Sequence, residues 1–218
     1  MADADARIAA AVRAIPDTSR TVYVDAISGD DTADGEVNTP LATLEAALRR
    51  AVHGGVHTIN LLSDVTMTER IELRPTRCVI QGKSADGAFV KRRVAFSSSV
   101  ATNRSDGWMA GVTHRNDGVL WLRSLNVELP VVGNDVTYSA VISHWAGGTT
   151  VLYDSEVTAQ AGVNSHLIGP AQGLCVVHLA GTTLAAEVGP GTGVMFANIA
   201  AGTDPNSNWK IITNITQN

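Results

Sequence analysis

Three stretches of this 218-residue chain set aromatic rings among glycines, amides and charged side chains. They are Asn103-Arg104-Ser105-Asp106-Gly107-Trp108, the run from Tyr138 to His144-Trp145, and Asn164-Ser165-His166. Such residues hold sugars without cleaving them: a ring lies against the C–H face of a pyranose, and amide, carboxylate and guanidinium groups alongside take its hydroxyls. On this reading Trp108 and Trp145 are the principal ligand residues, with Arg104, Asp106, Tyr138 and His144 beside them. Packing between subunits would use the same two tryptophans. Trp121 sits inside an apolar strand and fits the core or a subunit interface better.

Cleavage would need more. Glycosidic hydrolysis requires two carboxyl groups facing one sugar from roughly 5 to 9 Å apart. Asp154 and Glu156, two apart on a bend, are the nearest approach to such a pair, and solvated bend residues are the plainer reading. A calcium-dependent lyase would need several acids and a basic residue on one face, which cannot be assembled here. No catalytic residue is assigned, and the reading leans away from an enzyme. Asp25, Asp30, Asp31 and Asp34 crowd together but do not follow the alternate-position pattern of a calcium loop, and side-chain capping of turns accounts for all four. The histidines form no close pair of metal-binding type; His144 beside Trp145 and His114 beside Arg115 lie in turn-rich stretches where a ligand surface could form. Cys78 and Cys175 lie in apolar runs and read as buried free thiols. Neither a metal nor a cofactor is expected.

Charge narrows the partners. A net charge of −5 argues against a general nucleic-acid surface, which needs clustered Lys and Arg, and the densest basic run is only Lys91-Arg92-Arg93. Charged residues make up 17% of the chain and Lys83, Lys91 and Lys210 are its only lysines, so its surfaces must be faced largely with Thr, Ser, Asn and Gly. Stacked-strand proteins have such walls. No apolar run reaches the ~18 residues of a membrane span, and the N-terminus lacks a basic leader. The expectation is a protein that does not insert in membranes and reaches the cell exterior, if at all, through particle assembly or lysis.

The elements that must carry these loops follow. Ala4 to Ile15 reads as a short helix with Ile8, Val12 and Ile15 on one stripe, needing a partner either in the following domain or in other subunits. Residues 1–18 are accordingly expected to be a helical attachment or oligomerisation segment, and 19–218 one domain. Thr21 to Asp25 is β-rich. Asn38 to Leu48 predicts a helix with Thr39 as cap, Pro40 at the first position and Leu41, Leu44 and Leu48 buried, giving a cap over 38–53. Beyond Gly55 come short apolar strands: His57 to Leu62, Glu69 to Leu73, Cys78 to Gln81, Arg93 to Ser97, Val119 to Leu129, Ser139 to Ser143, Thr150 to Thr158, Leu174 to Leu179, Val194 to Asn198 and Trp209 to Thr216. Four of these segments share one pattern of strand, short polar bend and second strand, recurring roughly every 25 to 35 residues, as in stacked-rung architectures. The fold class predicted is all-β: a parallel β-helix of about six or seven rungs with a capping helix.

Val22-Tyr23-Val24-Asp25, Gly29-Asp30-Asp31, Asp34-Gly35 and Asn38 to Ala47 resemble the entry segment of pectate-lyase-like right-handed single-stranded parallel β-helices, especially those of bacteriophage tail spikes and fibres. A head or tail spike of a phage-derived gene transfer particle is similar. The resemblance implies a homotrimeric structural protein on the surface of a virion or phage-like particle, made in the bacterial cytoplasm. It implies attachment to other particle proteins through the N-terminal helix, and receptor binding to a host surface polysaccharide. A purely structural stalk or connector, or a polysaccharide lyase or hydrolase, remains the alternative. Enzymatic spikes usually have longer stacks, so the short stack here favours binding over cutting.

Overall fold

The computed structural model describes residues 19–51, 55–74, 76–115, 118–169, 173–208 and 211–215. The helix expected at Ala4 to Ile15 lies outside them. The described chain forms β1 (Ser19–Val24), α1 (Leu44–Arg49), β2 (Val56–Leu61), β3 (Val65–Met67), β4 (Arg70–Leu73), β5 (Arg77–Gly82), β6 (Arg92–Phe96), β7 (Gly111–His114) and β8 (Val119–Arg123). Then follow β9 (Leu125–Leu129), β10 (Ala140–His144), β11 (Gly148–Tyr153), β12 (Glu156–Ala159), β13 (His166–Ile168), β14 (Cys175–Ala180), β15 (Thr183–Leu184) and β16 (Ile211–Thr213).

Every third strand falls on the same wall. A seven-stranded sheet runs β1-β2-β5-β8-β11-β14-β16, a five-stranded sheet β15-β12-β9-β6-β3 and a four-stranded sheet β13-β10-β7-β4, and every strand pair is parallel. The chain therefore winds through three walls in turn as a right-handed parallel β-helix. Inward positions stack from rung to rung, as in the registered row Ile59, Ile80, Leu122 and Leu152 on the seven-stranded sheet. One continuous apolar column results, with Val94 and Val127 from the second wall and Ile71, Val112 and Ile142 from the third. Burial of such side chains is the main stabilising contribution of this architecture, at roughly 25 cal/mol per Å2 of apolar surface.

The polar bends that interrupt the long sequence strands are the corners between the first and second walls. Ser124, Asp154 and Gly181 follow the registered residues Arg123, Tyr153 and Ala180, and all three have left-handed backbone, with φ of 51°, 48° and 59°. The residue after the second and third of these corners ties its rung to the one before: the Ser155 hydroxyl donates to Leu122 O at 3.2 Å and the Thr182 hydroxyl to Leu152 O at 3.0 Å. Glycine is the residue that adopts this conformation without a Cβ penalty. Gly181→Val should therefore lower stability by about 1–2 kcal/mol although a Cβ there would meet Asp154 only at an ordinary contact distance of 3.8 Å, which chemical denaturation can measure. An unchanged midpoint would show that the corner relaxes.

The capping helix begins later than its sequence suggests. Thr43, not Thr39, is the N-cap, its hydroxyl accepting from Ala46 N. Residues 39–41 are extended instead, because Leu41 N donates to Tyr23 O and Leu41 O accepts from Asp25 N, which laces this segment to β1. The Asp31 carboxylate fixes the turn into the helix by accepting from Ala42 N, Thr43 N and the Thr43 hydroxyl. Leu41, Leu44 and Leu48 are all buried, as the stripe predicts. The second and third walls start one rung later than the first, at β3 and β4, and α1 packs against both of those edge strands and β1. Glu45 shows why an end rung needs this cover: its carboxylate accepts Thr68 N at 2.6 Å and Glu69 N at 3.3 Å, backbone donors that no earlier rung meets.

Two sequence strands are shorter than expected. Of Val194 to Asn198 only a parallel bridge between Ile168 and Phe196 survives, and the last strand is confined to Ile211–Thr213 within the described residues. Three unexpected strands, β3, β7 and β13, complete the rungs.

Candidate ligand-binding cleft

The third wall is short, and two of the loops that enter it from the second wall are long. The segment between β6 and β7 carries Arg104, Asp106 and Trp108; the segment between β9 and β10 carries Tyr138; Trp145 follows β10 directly. Two of these loops are joined by backbone: Trp108 and Tyr138 form a parallel bridge, and Met109 N donates to Tyr138 O at 3.2 Å. Gly107, at φ 80°, makes that approach possible, since Thr137 and Tyr138 both donate to its carbonyl and a Cβ there would lie 2.6 Å from the Thr137 hydroxyl.

The loops and the outward face of β4 and β7 enclose a cleft of about 400 Å3 lined by Arg70, Glu72, Arg104, Asp106, Trp108, Thr113, Arg115, Tyr138 and Trp145. Trp108 stacks on Tyr138 with ring centroids 4.4 Å apart and planes 17° off parallel, and Trp145 stands 6.4 Å from Trp108 at 41°. Trp108 is only 9% exposed, whereas Tyr138 and Trp145 are 44% and 40% exposed. Trp108 is thus the buried keystone of the aromatic group, and the rings free to meet a ligand are Tyr138 and Trp145.

Opposite the rings lies an ionic rim. Arg104 holds Asp106 through Nε at 2.9 Å, with Nη2 on the second carboxylate oxygen, and its Nη1 lies 3.5 Å from Glu72. Arg115 grips the same Glu72 through Nε and Nη2, each at 2.9 Å. The hydrogen bond from Arg104 lowers the Asp106 pKa below the ordinary carboxylate value, which keeps it an acceptor and unsuits it as a proton donor. The Arg115 guanidinium also lies 5.4 Å from the Trp145 ring centre.

The floor is Arg70. Its side chain is almost fully buried and every donor is engaged by an uncharged acceptor. Nε donates to the Thr113 hydroxyl at 2.8 Å, Nη1 to Ala140 O at 2.6 Å and Met109 O at 3.5 Å, and Nη2 to Val112 O at 3.1 Å and the Ser143 hydroxyl at 2.6 Å. Asn103 fixes the backbone below it, accepting from Arg70 N and donating to Arg70 O, both at 2.9 Å. The guanidinium sits 4.8 Å from the Trp108 ring centre. Burial lowers its pKa to about 9, which leaves it a cation at neutral pH.

Five of the six sequence candidates, Arg104, Asp106, Trp108, Tyr138 and Trp145, therefore meet in one cleft. His144 does not join them. Successive strand residues point to opposite faces, so Ser143 looks outward to Arg70 while His144 looks into the core, fully buried and stacked on His114 at 5.0 Å. The loop at Asn164-Ser165-His166 is also elsewhere: Asn164 bonds both polar backbone atoms of Val132 and the Ser165 hydroxyl donates to Pro130 O, so their polar groups close a turn. Trp121 lies on the outward face of the first wall under Arg77, 4.8 Å from its ring centre. Asp25, Asp30 and Asp34 cap their own turns, and no group of three His, Cys, Asp or Glu able to hold a metal occurs among the described residues. Burial raises both cysteine thiols to about 12, so neither is a nucleophile.

Sequence reasoning passed over Arg70, Glu72 and Thr113. They lie in ordinary-looking strands, and only the registers Arg70 to Gly111 and Glu72 to Thr113 bring them under the later loops. No family model, no curated protein and no solved structure matches the chain. The three-wall solenoid is consistent with the pectate-lyase-like β-helix superfamily, which includes both structural spikes and lyases.

Proposed function

We propose that this chain is a glycan-binding spike or fibre module on the surface of a phage-like particle. In this role the cleft on the third wall holds a host surface polysaccharide. The observation that carries the reading is the convergence of the exposed Tyr138 and Trp145 rings with the Arg104–Asp106 and Arg115–Glu72 pairs over one open cleft. Rings supply the apolar face for sugar C–H groups, and the ionic rim supplies directed donors and acceptors. Asp106 and Glu72 are the carboxylates lining the cleft, and both are committed to arginines, which favours holding a glycan over cleaving it.

The outward face of the first wall suits a homotrimer, with Val79, Trp121 and Val151 in one registered row. Attachment to the particle falls to residues 1–18 in this proposal.

The test is titration of the chain with capsule and lipopolysaccharide fragments, followed by tryptophan fluorescence or calorimetry. Trp145→Ala and Tyr138→Ala, both at exposed rings, should each weaken binding by about tenfold, the equivalent of ~1.4 kcal/mol. Unaltered affinity in both variants, or no glycan bound at all, would overturn the assignment.

A further inference from the structure

The cleft continues beyond its aromatic end. A second depression of about 300 Å3, running towards α1 and lined in part by Arg49, Arg74 and Asn103, shares Arg70 and Glu72 with the first. The joint groove is rich in guanidinium groups for a chain whose net charge is −5. Arg49 is paired with Glu69, Arg104 with Asp106 and Arg115 with Glu72. Arg70 and Arg74 form no ion pair among the described residues, so the groove holds more positive charge than its own acids neutralise.

Arg70 is the more informative of the two. A buried guanidinium without a carboxylate is costly even when every N–H is hydrogen-bonded, because neutral acceptors return only part of its lost hydration. Protein encloses it on the core side, through β7 and β10, and the joint groove approaches it from the other. A counter-charge supplied from that side would be felt strongly in a partly desolvated site. Arg104 and Arg115 stand at the same opening with planar forks that match a carboxylate, and Glu72 now occupies the space between them.

Building on the glycan-binding reading, we infer that the ligand is an acidic saccharide whose anionic group enters between Arg104 and Arg115 above Arg70 and displaces Glu72 from them. Glu72 is then an internal competitor. It holds the two arginines in place while the cleft is empty and is exchanged, one anion for another, when the ligand arrives. Neutralising an acid in the groove then tightens binding only if the ligand is itself an acid.

The experiment titrates the full chain with three probes of equal length, an oligomannuronate, a neutral manno-oligosaccharide and the sulfated form of the latter, at low and at physiological salt. The acidic probes should bind at least about tenfold more tightly than the neutral one, with an advantage that shrinks as salt rises. Glu72→Gln should raise the affinity for the acidic probes relative to that for the neutral one about three- to tenfold, and Asp106→Asn, which frees Arg104, should act in the same direction. Equal affinity for carboxylated and sulfated probes assigns the selection to charge, and a preference for the carboxylate assigns it to the guanidinium forks. Both results support the inference. A neutral probe that binds as well as the acidic ones, or a Glu72→Gln chain in which the acidic probes gain nothing over the neutral one, overturns it. If neutral binding then still depends on Trp145 and Tyr138, glycan recognition stands and acid selection alone has failed. If no probe binds, both have failed.

Discussion

Replacing Arg70 with leucine is expected to cost on the order of 3–5 kcal/mol of folding stability and to lower the melting temperature by roughly 6–20 °C. Arg70 lies on β4, yet it donates to Val112 O and the Thr113 hydroxyl on β7 and to Ala140 O and the Ser143 hydroxyl on β10. One side chain thus fastens three successive rungs of the third wall. Gly111 leaves the corridor for it: a Cβ there would lie 3.0 Å from Arg70 Nη1 and 2.1 Å from Val141 O. Leucine fills part of the volume but leaves several buried acceptors unmet, at about 1–3 kcal/mol each. Arg70→Lys keeps the charge and should recover only part of the loss, because three donors on one nitrogen cannot serve acceptors spread over two strands. Thermal and urea unfolding followed by circular dichroism decides the matter. A leucine variant melting within about 2 °C of the parent would mean that the hydrogen bonds of Arg70 contribute little net stability.

The same residue shows where the sequence stops being readable. The first wall was legible because its strands are buried on one face by five or six residues of alternating pattern, as in Arg77–Gly82 and Val119–Arg123. Bends such as Ser124 and Asp154 also stand out, since polar residues interrupt an apolar run at the same register in successive rungs. The strands missed, Val65–Met67, Gly111–His114 and His166–Ile168, have only three or four residues each, and one begins with glycine. Their extended form comes from the rung beside them and not from local propensity. The cleft divides in the same way. Glycine-flanked aromatic loops advertise Trp108, Tyr138 and Trp145, whereas Arg70 and Glu72 acquire their place only through pairing with residues 41 positions later. His144 faces the core although its neighbour Trp145 is at the surface, because the alternation of a strand sends adjacent residues to opposite sides.

Acid should weaken this fold well before its carboxylates protonate. His114 and His144 occupy one register position on β7 and β10, above Leu73 on β4, and their rings stack 5.0 Å apart and 5° from parallel in the core. His144 Nε2 meets the Thr150 hydroxyl at 3.0 Å, while neither nitrogen of His114 has a hydrogen-bond partner among the described residues. Burial pushes the His114 pKa down to about 3, with the neighbouring imidazole adding to the effect, and burial pushes His144 down to about 4. In the unfolded chain both titrate near ~6.5. Between those values the unfolded state binds more protons than the folded one, so stability is complete above about pH 6.5 and falls as pH drops towards 4. Two pH units below the unfolded value correspond to about 2–3 kcal/mol for each ring, so the pair should cost on the order of 5 kcal/mol by pH 4.5. The hydrogen-bonded aspartates, Asp25, Asp30 and Asp34 among them, have lowered values and lose their contribution only below the usual carboxylate range, which separates the two windows. His114→Leu continues the leucine already present at Leu73 and removes two unpartnered nitrogens, so it should leave stability at pH 7 unchanged or higher. It should also remove about half of the loss between pH 6.5 and 4.5. Urea midpoints at pH 7, 5.5 and 4.5 for the parent and His114→Leu test both statements. A parent midpoint that stays flat to pH 4.5 would mean that the two imidazoles are protonated within the folded core, and an unchanged slope in the variant would place the acid sensitivity elsewhere.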